Sequence, residues 1–149
     1  MSEPRDVIWR DVWLGYGIGL LGTAILGGGI FAMLGPNMWW LAAASVLALL
    51  VAGFQLTRGT GRWEGLSATL VTIVYFVTTT VILIVGMMFE ILPEPLPGLP
   101  KGDSTFFFVW PLAQLASTVV GAFLGQRWGI RRTAEVTGRW DEEFRDARL

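Results

Sequence analysis

Cysteine and histidine are both absent from this chain. Without thiols there is no disulfide framework, no thiolate nucleophile and no ligand set for an iron–sulfur cluster. Without imidazole there is no ordinary axial ligand for a haem or a chlorophyll-type pigment and no common zinc ligand. The side chain best suited to proton transfer near neutral pH is missing too. Charge is also scarce: 15% of the residues are Asp, Glu, Lys or Arg, against about 25% in a typical soluble domain. The formal net charge of -1 provides no broad basic face of the kind nucleic-acid binders carry. These gaps predict a chain that is not an enzyme, has no cofactor or metal, and binds no nucleic acid.

What the sequence has in abundance is apolar residues, 53% of its 149 positions. They fall into four runs, Val12 to Leu34, Met38 to Leu56, Leu66 to Leu92 and Thr105 to Gln126. A membrane-spanning helix needs about 20 apolar residues, because the hydrocarbon core is about 30 Å thick and a helix rises about 1.5 Å per residue. Glu90, near the end of the third run, is the only ionisable residue in any of them. Four such runs in one short chain leave too little polar surface for a soluble fold. Residues 1–11 are expected to be a polar tail rather than a secretory signal, since Glu3, Asp6 and Asp11 outweigh Arg5 and Arg10 where a signal needs a positive start. The expected organisation is a tail over 1–11, a transmembrane domain over 12–128 and a second tail over 129–149.

The connections between runs are short or rich in turn-forming residues. Gly35-Pro36-Asn37 predicts a tight turn and an antiparallel helix pair, and residues 58–62 a short polar loop. Pro93, Pro95, Pro97 and Pro100 predict an extended, polyproline-like third connection. Asp103 or Ser104 is placed to cap the fourth helix, and Pro111 to kink it. Every arginine lies in the two tails or the middle loop, and Lys101 alone lies on the opposite side. By the positive-inside rule both ends face the cytoplasm. The tryptophans predict the same topology. Trp9, Trp13, Trp63 and Trp128 fall at the inner boundary and Trp39, Trp40 and Trp110 near the outer one, as two interfacial belts would.

Small residues recur at every fourth position in two runs: Gly15, Gly19, Thr23 and Gly27 in the first, Ala113, Ser117, Gly121 and Gly125 in the fourth. Residues four apart share a helix face, and small side chains let a second backbone approach closely in lipid. The strips imply either an interface with another subunit or packing of the first helix on the fourth. Gly17 to Gly22 also spells the glycine pattern of dinucleotide sites, but it sits inside an apolar run with no acid about 20 residues on. The triple Gly27-Gly28-Gly29 is open to two readings, a loosened helix as at a transporter site or close packing against bulky neighbours such as Trp39 and Trp40. The second is favoured because no polar partner lies beside it.

Polar residues inside the runs are few. Thr78, Thr79 and Thr80, with Gln114 and Glu90, are the candidates for a polar pathway, because intramembrane polar groups mark substrate routes as well as helix contacts. Threonine hydroxyls also bond their own helix backbone, and Glu90 is near enough to the proline segment to act as a boundary residue. In size and span count the chain is similar to the small four-helix drug antiporters. Those depend on a carboxylate deep in the first span, which this first span lacks.

Beyond Thr133 the chain turns polar. Val136, Trp140, Phe144 and Ala147 recur at helical spacing and predict a short amphipathic helix, with Trp140 and Phe144 as its docking anchors on the membrane or a partner. The fold expected is an all-α integral membrane protein, a four-transmembrane-helix bundle with both termini inside and a short cytoplasmic C-terminal helix. The function expected is that of an accessory or scaffold subunit of a larger membrane assembly, in the bacterial plasma membrane, partnered by lipid and by other subunits or by itself. The alternative is a small oligomeric channel or transporter.

Overall fold

The computed structural model of the chain describes residues 9–58, 65–92, 96–99 and 104–146, with the backbone alone described for residues 133, 134 and 136–146. The described residues form four helices, α1 (Trp9–Leu34), α2 (Met38–Arg58), α3 (Gly65–Met88) and α4 (Thr105–Asp146). All four are long and apolar enough to cross a membrane. Successive helices reverse direction, so α1 runs parallel to α3 and α2 parallel to α4. Around the bundle the order is α1, α2, α4, α3, with α2 also touching α3 across the middle.

The α1–α2 turn works as its composition predicts. Gly35 takes a positive φ of 84°, which a residue with a side chain resists, and its amide closes on the Phe31 carbonyl at 3.0 Å. Asn37 then caps α2: its Oδ1 accepts from the Trp39 amide at 2.9 Å, satisfying one of the free donors at a helix start.

Three elements depart from expectation. The α3 helix ends at Met88 rather than Leu92, because the chain wraps back on itself. The Ile91 and Leu92 amides both donate to the Gly86 carbonyl, at 2.9 and 3.0 Å. Glu90 supplies the left-handed residue of this cap, with φ 56°. In the third connection, residues 96–99 form a turn rather than an extended strand: the Leu99 amide donates to Leu96 O at 3.0 Å. Gly98 has φ 81°, the Pro-Gly arrangement of a type II turn. The turn forms because it buries Leu96 and Leu99 among Met38, Ala42, Phe106 and Trp110, and it offers the Pro97 carbonyl to the Met38 amide at 2.8 Å. Finally, the C-terminal segment is not a separate short helix. The α4 helix continues unbroken to Asp146, since a single Gly138 costs a helix only about 1 kcal/mol. Trp140 and Phe144 therefore ride on α4, with side chains outside the described residues, as Trp63, Lys101 and Asp103 are altogether.

Candidate functional site

The two small-residue strips do not meet. The α1 and α4 helices are diagonal in the bundle and share no contact among the described residues. This corrects the expectation that they pack together, and the reason is that α2 and α3 stand between them. On α1, a side chain added at Gly15 would meet Val71 and Leu56, at Gly19 Leu49 and Tyr75, and at Gly27 Leu41 and Ala44. The neighbours of Gly27 are thus not Trp39 and Trp40, and Gly28 and Gly29 have nothing within 4 Å. Thr23 is buried and donates to Gly19 O at 2.8 Å.

On α4 the strip faces α2, and the approach is backbone to backbone. A Cβ on Gly121 would collide with the Leu50 carbonyl oxygen, one on Gly125 with that of Phe54, and one on Gly53 of α2 with that of Thr118. Hydroxyls bind the pair in both directions: Thr57 donates across to the Ala122 carbonyl at 2.6 Å, and Ser117 donates back to that of Val46. Ala113 is half-buried at the upper end of this strip. Gly53 escaped the sequence reading, although Gly53 and Thr57 are small and four apart.

A connected set of buried polar groups runs through the interior. Ser45, fully buried on α2, is a hub: it donates to Ala42 O at 2.8 Å and accepts from Trp110 Nε1 at 2.9 Å and Gln114 Nε2 at 3.0 Å. Trp110 therefore does not belong to an exposed aromatic belt. It is 4% exposed, against 43% for Trp128 and 42% for Trp39, because its ring lies under the Leu96–Leu99 turn and its N–H has a buried acceptor. Thr118 donates to Gln114 O at 2.8 Å and lies 2.9 Å from the Thr72 hydroxyl of α3. Tyr75, also on α3, donates to Thr23 of α1 at 2.8 Å. The Tyr75 hydroxyl also lies against that of Ser45, so each helix contributes to this network.

The residues singled out for a polar pathway occupy separate settings. Gln114 is fully buried and tied to Ser45, with its Oε1 lacking a partner among the described residues. Thr78 and Thr79 are half-buried and donate to their own helix, to Val74 O and Tyr75 O at 2.9 Å each. Thr78 also accepts from Tyr16 Oη at 3.3 Å. Thr80 is half-buried, and Glu90 is exposed beyond the end of α3. No group of His, Cys, Asp and Glu suited to a metal occurs among the described residues. Comparison with family models, with curated proteins and with solved structures finds no match.

Proposed function

We propose that this chain is a non-catalytic subunit of a larger bilayer-embedded assembly, with both termini in the cytoplasm, as the arginine distribution favours. The observation that carries the reading is a second face of α1. Ala24, Gly28 and Ala32 lie four residues apart and are all exposed, and nothing comes within 4 Å of a side chain added at Gly28. The neighbouring strip through Gly15, Gly19 and Gly27 is used up inside the bundle; this one is not. In lipid a face of small residues is where another helix comes closest, since no hydrophobic force draws helices together there and packing must. The occupant is another subunit or a second copy of this chain.

The channel or transporter reading draws less support. A pathway needs polar groups turned toward a passage, and here the hydroxyls of Ser45, Thr57, Ser117 and Thr118 donate to backbone carbonyls.

The test is purification of the tagged chain in a mild detergent, beside a Gly28→Ile variant. Other polypeptides, or further copies, should accompany the natural chain in fixed proportion and be lost from the variant while its thermal midpoint does not fall. A natural chain that runs as a single homogeneous monomer, or a variant that keeps its companions, overturns the proposal.

A further inference from the structure

We propose that Arg58 and Arg132 together hold the phosphate of an anionic phospholipid at the end of the bundle where α2 finishes. The parallel register of α2 and α4 brings the two arginines to the same end of the bundle, Arg132 three residues, about 4.5 Å, further along than Arg58. Gly125 lies against the Phe54 carbonyl, and the Phe54 ring sits 6.1 Å from that of Trp128. One turn further along each helix come Arg58 and Arg132, both exposed. The Arg132 guanidinium stacks on Trp128, 5.2 Å from the ring centroid. A guanidinium stacked on a ring keeps its N–H donors, which suit two-point binding of a phosphate.

No carboxylate of the described residues neutralises this pair. The one ion pair among them joins Arg10 to Asp11, and Glu135, exposed a turn beyond Arg131, makes none. The acids of the C-terminal segment, from Asp141 onward, are held away by the continuity of α4. At about 1.5 Å per residue, Asp141 stands about 13 Å along the axis from Arg132. Two like charges at one end of the bundle repel, and a shared anion removes the repulsion. The surroundings select a lipid over a free phosphate: the rings of Phe54 and Trp128 beside the pair offer apolar walls to a glycerol backbone and its first methylenes. Anionic headgroups lie at that level on the cytoplasmic leaflet.

The inference rests on the bilayer reading but not on the subunit reading, and a chain that purifies alone leaves it intact. The full chain is offered mixed phosphatidylcholine and phosphatidylglycerol, and the retained lipid is counted by mass spectrometry of the intact complex. Phosphatidylglycerol is the expected lipid. Arg58→Gln with Arg132→Gln should lower its retention about tenfold or more, since charge-assisted hydrogen bonds are lost. Arg10→Gln, whose charge already faces Asp11, should leave retention unchanged. Equal retention of both lipids by the natural chain, undiminished retention by the double variant, or displacement by inorganic phosphate at matched concentration overturns the assignment. Should the double variant not fold, the natural chain decides: an unfolding midpoint no higher with phosphatidylglycerol than with phosphatidylcholine also overturns it.

Discussion

The α1 and α4 helices carry strips that look alike on paper, yet they meet their neighbours in different ways. The glycines of α1 face side-chain tips, the Cγ2 of Val71 at 3.0 Å from a built Cβ of Gly15 and the Cδ2 of Leu49 at 3.0 Å from that of Gly19. The glycines of α4 and Gly53 of α2 face main-chain carbonyls. A leucine tip can swing to a neighbouring rotamer; a helix carbonyl moves only with its helix. The same spacing therefore marks an adjustable contact in one place and a rigid one in another. A search for small residues four apart cannot distinguish them.

Substitutions ordered by size test this contrast. Gly121→Ala and Gly53→Ala should be the most damaging, destabilising the fold by about 3 kcal/mol, the upper end of what overpacking costs. Unfolding titrations with a denaturing detergent would read it, and a loss under about 1 kcal/mol would mean that α2 and α4 are less closely joined than described. Ser45→Ala should come next, at about 1–3 kcal/mol, because it strips Trp110 and Gln114 of their acceptor. Gln114→Met should cost less than Ser45→Ala by the same titration, since it removes the unpartnered Oε1 along with the amide. Gly19→Ala should change stability by about 1 kcal/mol or less, as the gain in helix propensity offsets a displaced Leu49 tip. The smallest effects should favour the fold: Gly28→Ala and Glu90→Gly should each raise stability by up to about 1 kcal/mol. The first gains helix propensity where there is room, and the second relieves a left-handed backbone at a residue with a side chain. A loss on Glu90→Gly would show that the carboxylate contributes something its exposed position does not suggest.

Much of the architecture was readable in advance. The four runs, their order and the turn at Gly35 followed from length, apolarity and turn chemistry, which are local properties of the chain. The departures arose where a distant partner intervened. Trp110 resembles a boundary tryptophan until Ser45, 65 residues away, supplies its acceptor. Pro97-Gly98 could continue an extended segment, and it turns because Leu96 and Leu99 then pack in one buried cluster with Met38 and Phe106. Gly53 carries a signal in its spacing to Thr57, but a lone glycine in an alanine-rich helix draws little notice without its partner in view.

The sequence by itself determined that there are four long apolar helices, where the first turns into the second, and that the chain carries no thiol or imidazole. Those conclusions need only composition and the rise of a helix. Tertiary structure alone decided that α2 stands against α4 with their backbones nearly touching, that the α1 strip is used internally while its neighbouring face stays open, and that Arg58 and Arg132 come to the same end of the bundle. Helical periodicity names the residues that share a face; which element lies opposite depends on how all four helices fill space together.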